Sequence, residues 1–341
     1  MRQSQQDIEC RVISAVKDFA RSIYLGGKIV ADMSALVDTT AELPLANFDY
    51  WERLIRSEFS KAMVVSTQST WNFYLRSQQL LTWLDLISWD GYRRERALRA
   101  ISGTAPNAFF FSLALRRLND WVPQVRYAAR EKLPKIAEAS DPEDIADALA
   151  IALSNWNSWG RIEEEDKQVF LQIITTEPIA DALKSKLMFS PSGPMPTVFA
   201  QLGRTSILDG CLAEIAEHAI QPAVRAKAYR SLFEKRIVWI EGRKWEWTDI
   251  RYCKGRLRAI VSERKIDVHT SFFDLLKKSS EDRSSIVRRV SAEFLIRDLE
   301  ILGDQAKVFA ERFASDKSNS VSERGRFALK KLETATESDA S

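Results

Sequence analysis

Histidine, cysteine and glycine are scarce in this chain of 341 residues, and their scarcity argues against several kinds of enzyme site. The only two histidines, His218 and His269, have no partner at the spacing that metal ligands use. No glycine-rich phosphate loop, paired-cysteine motif or Gly-x-Ser-x-Gly nucleophile motif occurs. We therefore expect no catalytic residues, no metal and no cofactor, and hence a protein that is not an enzyme.

The cysteines and the absence of a long apolar run bear on where the protein works. Cys10, Cys211 and Cys253 are scattered and odd in number, which is typical of reduced cysteines. No apolar run reaches the roughly 18 residues that a membrane-spanning helix needs. The N-terminal residues also contain no apolar signal core. The sequence therefore predicts a cytoplasmic protein with no membrane partner.

A spaced pattern that recurs every 31 to 34 residues is the main positive signal. It is clearest around Arg126, where Asp120 lies six residues earlier and Pro123 three residues earlier. Ala129 and Leu133 follow three and seven residues later, so a small and an apolar residue occupy fixed positions. Other copies, some of them degenerate, centre on Arg94, Arg225, Arg256, Arg288 and Ser322. A fixed period of this length indicates helix pairs stacked into a solenoid, since one pair cannot bury both its faces.

At these residues the chain resembles the HEAT-repeat family, whose consensus has the same order of Asp, Pro, Val-Arg, small residue and Leu. The resemblance covers residues 85–335, and the short period is similar to that of the compact HEAT-like repeats common in bacterial proteins. It implies an all-α fold, a right-handed α–α superhelix. It also implies that acids and arginines of neighbouring repeats form an internal, structural ladder, with a ligand-binding role as the alternative. The ladder residues would be Asp120, Arg126, Arg225, Asp282 and Arg288.

The zones outside the clear repeats are predicted separately. Residues 1–84 form an N-terminal helical cap or degenerate repeats. Within the repeats, residues 140–215 follow the pattern irregularly, and the prolines of 189–196 predict a loop there. Residues 336–341 are small and polar and predict a disordered tail. The run of acids from Glu163 to Asp166 is predicted to be a solvated helix face.

One segment, residues 237–248, breaks the helical rhythm and predicts a small β-hairpin insertion. Arg236–Ile240 is rich in β-formers, Glu241–Arg243 would be the turn, and Lys244–Thr248 alternates strictly. As a recognition element it would bind through Trp and basic side chains, which dominate interface hot spots. Alternatively, its tryptophans pin an inserted loop against the helices. The candidate binding residues are Trp239, Arg243, Lys244, Trp245 and Trp247.

Charge is distributed unevenly although the net charge is only +3. Residues 138–181 carry a net charge of −9, whereas residues 76–135 carry +6 and residues 220–300 carry +7. A polarised field of this kind steers charged partners. The first function hypothesis is a non-enzymatic scaffold or adaptor that binds an acidic protein.

The alternative hypothesis is a nucleic-acid-binding protein. A group of bacterial alkylpurine DNA glycosylases is built on HEAT-like repeats and lines a concave cleft with Trp, Asp and Arg. This chain is similar in size, and it has side chains of those types near the start of its repeats. They are Trp83, Asp85, Trp89, Asp90, Arg93, Trp121 and Arg126. The acidic belt between the two basic zones argues against a continuous nucleic-acid track.

Overall fold

Helices make up most of the protein in the structure, a computed structural model that describes residues 2–23, 31–67, 81–303 and 305–339. One two-stranded antiparallel sheet interrupts them, so the predicted helical class with a β-hairpin is confirmed. The chain divides into two units, Met1–Leu183 and Lys184–Ser341. Across the described ranges, no helix is both long and apolar enough to cross a membrane. Residues 24–30 and 68–80 of the zone predicted as an N-terminal cap or degenerate repeats lie outside these ranges.

The first part of the chain contains nine described helices. They are α1 (Arg2–Ser22), α2 (Ser34–Ala41), α3 (Phe48–Thr67), α4 (Gly91–Ala100), α5 (Ala108–Leu115), α6 (Pro123–Ala139), α7 (Pro142–Asn155), α8 (Glu164–Ile174) and α9 (Glu177–Phe189). Short 3-10 turns at Leu45–Asn47, Trp83–Ile87, Arg116–Asn119 and Trp156–Ser158 connect them. In the first unit, α4 packs on α6 and α6 packs on α8, while α5 packs on α7. Helices α4, α6 and α8 therefore form one layer of this unit, and α5 and α7 belong to a second layer. Neighbouring helices within a layer are separated in the sequence by one helix of the other layer.

Helix α6 shows why these residues form this packing. Pro123 occupies the first turn, where its missing N–H costs nothing. Val125, Ala129 and Leu133 then follow at helical spacing on one face and are fully buried. The small residue three positions after the arginine is buried in every other well-formed copy as well. These residues are Ala97, Ala228, Ser291 and Gly325.

The later part of the chain contains the remaining helices and the sheet. The helices are α10 (Met195–Leu202), α11 (Leu212–His218), α12 (Pro222–Glu234), α13 (Phe272–Ser280), α14 (Ser285–Arg297), α15 (Leu299–Leu302), α16 (Gln305–Ala314) and α17 (Asn319–Asp339), with a 3-10 turn at Ser206–Cys211. Helix α14 packs on α12, α13 and α17, and α16 packs on α17. Pro196 lies in the first turn of α10, so the loop predicted at 189–196 ends before it. Helix α17 continues to Asp339, into the range assigned to a disordered tail.

The sheet consists of β1 (Arg236–Asp249) and β2 (Lys254–Lys265), which are longer than the predicted strands. Their register places Arg236 opposite Lys265 and Asp249 opposite Lys254. The turn predicted at Glu241–Arg243 is wrong, because that stretch lies inside β1, where the register shifts between Ile240 and Gly242. The real turn follows β1, and Cys253 adopts a left-handed backbone conformation there (φ 50°). The degenerate repeat copy centred on Arg256 is also wrong, since that residue lies in β2.

Candidate functional site

Four arginines of the repeat pattern make the same backbone hydrogen bond, and we call them the pattern arginines. In each case Nη1 donates to the carbonyl oxygen six residues earlier, in the turn that precedes the helix. The pairs are Arg94 to Ser88 (2.8 Å), Arg126 to Asp120 (3.0 Å), Arg225 to Ala219 (2.7 Å) and Arg288 to Asp282 (2.9 Å). The guanidinium therefore fastens each turn to the helix that it begins.

Three of the pattern arginines also hold a carboxylate in bidentate geometry, which adds strength and orientation to an ion pair. Nε and Nη2 donate to both oxygens of one aspartate at 2.6 to 3.0 Å. The pairs are Arg94 with Asp120, Arg225 with Asp282, and Arg288 with Asp316. Among the predicted ladder residues, the structure brings Arg225 and Asp282 together directly. Asp120 is paired with Arg94, not with Arg126.

Arg126 departs from this arrangement. Its Nη2 donates to Glu163 at 2.5 Å, while its Nε is 4.0 Å from Asp166, is buried and makes no hydrogen bond within the described structure. Arg130 takes the place at Asp166 instead, at 2.6 Å. The hydrogen bond with Asp166 raises the pKa of Arg130 above its usual value.

The acidic run at the start of α8 is consequently only partly solvated. Glu164 and Glu165 are exposed as predicted, but Asp166 is fully buried. Asp166 accepts from the N–H of Glu163 in a capping box as well as from Arg130. Hydrogen bonds from Arg130 and then Arg126 lower the pKa of Glu163. The prediction of a solvated face is wrong for Asp166, because a helix face cannot be assigned from consecutive acids without the neighbouring helix.

A buried ion network surrounds Asp120 in the first unit. Arg117 donates to Asp120 at 3.2 Å and to Glu52 at 3.0 Å, and Glu52 also pairs with Arg56. Burial raises the pKa of Asp120, but hydrogen bonds from Arg94 and from the backbone, together with the charge of Arg117, outweigh it and hold this pKa below its ordinary value. Burial lowers the pKa of Arg117, against the opposing effect of Glu52 and Asp120. The network keeps these charges paired, as a buried group requires.

A cleft of about 580 Å³ lies over this network. Three acids and six arginines line it, which gives it a net charge of +3; the arginines are Arg53, Arg56, Arg94, Arg116, Arg117 and Arg161. Trp89 and Trp121 also line it, and both are largely exposed, at 74% and 68%. The guanidinium of Arg56 lies over the ring of Trp89, 4.9 Å from its centre. The cleft thus combines excess positive charge with accessible aromatic rings.

Of the residues named for the nucleic-acid alternative, only Trp89 and Trp121 line this cleft. The others have structural partners, and they are not gathered into one site. Trp83 packs edge-on against Phe110, Asp85 caps its own 3-10 turn and pairs with Arg93 at 2.5 Å, and Asp90 caps α4. Sequence reasoning missed Arg53, Arg116 and Arg161, because they come from three separate elements.

The base of the hairpin is anchored to its own unit. Ile237 is fully buried, and a Cβ on Gly203 would come within 2.1 Å of its Cγ2, so only glycine fits there. Arg264 holds both oxygens of Asp209 at 2.9 and 2.6 Å and the carbonyl oxygens of Gly203 and Thr205. This anchor fixes the direction in which the rest of the hairpin leaves the helices.

Trp239 belongs to this anchor rather than to an open surface. Its indole N–H donates to Glu241 at 2.9 Å, and the guanidinium of Arg204 lies 5.3 Å from its ring centre. Arg204 also pairs with Glu241 at 2.8 Å. The pinning role that was the alternative for the tryptophans therefore describes Trp239.

The outer part of the hairpin has one apolar face and one charged face. Side chains alternate along a strand, so the register divides them. The apolar face, which we call the arm face, consists of Ile240, Arg243, Trp245, Trp247, Leu257, Ala259 and Val261. Every one of these residues is exposed, and the five large apolar ones are 44–60% accessible. The opposite face carries Lys244, Glu246, Arg256 and Arg258, with Glu246 paired to both arginines, and one exposed apolar side chain, Ile260. The structure therefore places Arg243 beside Trp245 and Trp247 but puts Lys244 on the other side.

The two exposed tryptophans of the arm face contact each other, edge to face, with their ring centres 5.6 Å apart. Gly255, on the partner strand, leaves the space over which Trp245 lies, because a Cβ there would come within 2.5 Å of the indole. The indoles are thus held in place by the hairpin itself.

Comparison with known proteins does not assign the chain to a family. No protein-family model, no curated protein and no solved structure matches it. The likeness to HEAT repeats rests on the spaced residues quoted above.

Proposed function

We propose that the protein is a non-enzymatic binding module, and that the arm face is the surface that holds an acidic protein partner. The observation that carries this proposal is the exposure of five large apolar side chains on one side of a hairpin whose base is firmly anchored. Contiguous exposed apolar surface rimmed by polar residues is typical of interaction sites. Trp and Arg are the residues that most often dominate binding energy in such sites.

A purely structural role accounts poorly for these tryptophans. If the tryptophans only pinned the hairpin against the helices, their rings would be buried. The hairpin does bury Ile237 at its base, yet Trp245 and Trp247 remain 47% and 53% exposed. Leaving apolar area in water forgoes about 25 cal/mol for each Å² that a partner could cover. A partner that covers the arm face recovers this free energy.

The charge of the hairpin favours an acidic partner. Residues 236–265 contain nine basic and four acidic side chains. On the arm face, Arg243 has no carboxylate within 4 Å among the described residues, so its charge is available for a partner. A rim charge of this kind mainly accelerates association and selects the partner.

We also infer that the helical units are HEAT-like repeats forming a right-handed superhelix, which would serve as the scaffold for this arm. The four equivalent bonds of the pattern arginines support this inference, because they recur at one fixed offset. The buried small residue three positions later recurs at the same copies. Small-angle scattering tests the superhelix, since a spherical particle would contradict it.

The experiment uses two adjacent cations that the register places on opposite faces. Cross-linking from a photoreactive residue at position 257, which lies on the arm face opposite Trp245, should capture an acidic partner from the native host. Arg243→Glu should abolish this capture, whereas Lys244→Glu, with the same charge change on the other face, should largely preserve it. Equal capture by both variants, or unchanged capture by Trp245→Ser with Trp247→Ser, would show that the arm face is not the interface.

A further inference from the structure

The residue five positions before each pattern arginine points into solvent, and in the first unit this residue is twice a tryptophan. Trp89 precedes Arg94 and Trp121 precedes Arg126 by the same offset. At the corresponding positions of the second unit, Ile220 and Arg283 are also exposed. The neighbouring carbonyl in each turn is held by the arginine Nη1, so the turns have the same local geometry. Because α4 packs on α6, the two tryptophans lie at one edge of that layer.

The third helix of this layer adds a cation to the same edge. Arg161 lies in the turn before α8, which packs on α6, and it lines the same cleft as both tryptophans. Helix α3 also lines the cleft and contributes Arg53. The cleft therefore draws on four helices or their leading turns.

Arg53 and Arg161 differ from the other four arginines of the cleft in their partners. Arg56, Arg94, Arg116 and Arg117 each pair with a carboxylate. Arg53 donates from Nε to the carbonyl oxygen of Asp49 at 2.9 Å, and within the described part of the chain neither it nor Arg161 has a carboxylate within 4 Å. Both are exposed. The excess positive charge of the cleft therefore sits on two groups that can turn toward an anion.

We propose that this cleft binds a nucleotide, with its base stacked on Trp121 and its phosphate held by Arg53 and Arg161. Guanidinium groups match phosphate oxygens, and an indole ring stacks on any nucleobase. Trp121 is the stacking platform because no ring or cation packs on it in the described structure, whereas Arg56 already occupies one side of Trp89. The volume of about 580 Å³ is in the range of small-molecule sites. A simple inorganic anion would leave the exposed rings unused.

The test is a calorimetric titration of the full chain, at low salt and without metal, with three probes. They are deoxyadenosine monophosphate, the eight-nucleotide strand (dA)₈ and inorganic phosphate. The nucleotide should bind at least tenfold more tightly than phosphate. If (dA)₈ binds clearly more tightly than the mononucleotide, the natural ligand is a single strand. If (dA)₈ binds equally or more weakly, the natural ligand is the free nucleotide. Equal affinity for phosphate and nucleotide, or no saturable binding of either nucleotide probe, would overturn the proposal.

Matched variants separate the cleft from general charge and general aromatic content. Trp121→Ala and Arg161→Glu should each weaken nucleotide binding about tenfold or more, the loss expected for one stacked base or one charged hydrogen bond. Arg96→Glu is the charge control, because Arg96 is exposed on α4 and does not line the cleft. Phe327→Ala is the aromatic control, because Phe327 is exposed on α17 and does not line the cleft. If a control weakens binding as much as its cleft variant, the cleft is not the site.

Discussion

Gly325 offers the sharpest test of how closely the helices of the second unit approach. It lies in α17 at the small position of the repeat pattern, against the end of α16. A Cβ at this position would come within 2.1 Å of the Ala314 nitrogen and 2.4 Å of the Phe313 carbonyl carbon. Real Cβ atoms essentially never approach closer than 3.0 Å. Gly325→Ala must therefore push two backbones apart by about 1 Å, since no side chain can simply rotate away.

The size of the effect follows from two opposing contributions. Overpacking of this kind costs about 1–3 kcal/mol, and backbone overlap puts Gly325→Ala at the upper end of that range. Alanine in a helix interior recovers about 1 kcal/mol relative to glycine. The free energy of unfolding should therefore fall by about 2 kcal/mol.

Urea unfolding followed by circular dichroism at 222 nm measures this change. Gly210→Ala is the matched control, because a Cβ at Gly210 would meet nothing within 4 Å. The control should be neutral or slightly stabilising. If Gly325→Ala is as stable as the control, the close approach of α16 and α17 is not as described, and the steric reasoning fails.

Two further predictions concern the pattern arginines. Arg225 and Arg230 both lie in α12 and both pair with an acid, but Arg225 is 1% exposed and Arg230 is not buried. Arg225→Ala should lower the free energy of unfolding by about 3–5 kcal/mol because it leaves a carboxylate unpaired, whereas Arg230→Ala should cost under about 1 kcal/mol; equal losses in urea unfolding would refute this distinction. The hydrogen bond from Arg288 holds the pKa of Asp316 below 3.8, so the unfolded chain takes up this proton first as the pH falls. The contribution of Asp316 to the free energy of unfolding is complete above pH 3.8 and disappears as the pH falls through the lower pKa of the folded state. Asp316→Asn should remove this part of the pH dependence of the free energy of unfolding, measured by urea unfolding at acid pH; the same pH dependence in both proteins would contradict the reasoning.

The sequence was most informative where local spacing determines structure. The fixed offsets around Arg126 place Val125, Ala129 and Leu133 on one face, and all three are buried. The turn of the hairpin was not predictable in the same way, since Ile250–Cys253 contains no Gly, Asn or Pro to mark it.

The cleft could not be read from the sequence because its walls meet only through tertiary packing. Arg53 and Arg161 are more than a hundred residues apart and belong to no common motif. Trp121 is among the residues named for the nucleic-acid alternative, but the local sequence does not indicate which cations line a cleft with it. Exposure distinguishes it from a core tryptophan such as Trp156, and exposure depends on neighbours that the local sequence does not specify.

The bidentate bonds of the pattern arginines give the chain a polarity. In each of the three pairs the arginine precedes its aspartate in the sequence. Each of these arginines therefore binds the turn of its own repeat copy and also the aspartate of a later copy. Removing the later repeat copy of a pair would leave the arginine without its carboxylate. Removing the earlier copy would leave the aspartate without its guanidinium. Ser322 occupies the arginine position in the last described copy, and its hydroxyl accepts from Arg326 of the same helix at 3.2 Å. The series of pairs between an arginine and a later aspartate therefore ends at Asp316. The copy that contains Asp316 has no arginine in the pattern position that would need an aspartate of its own.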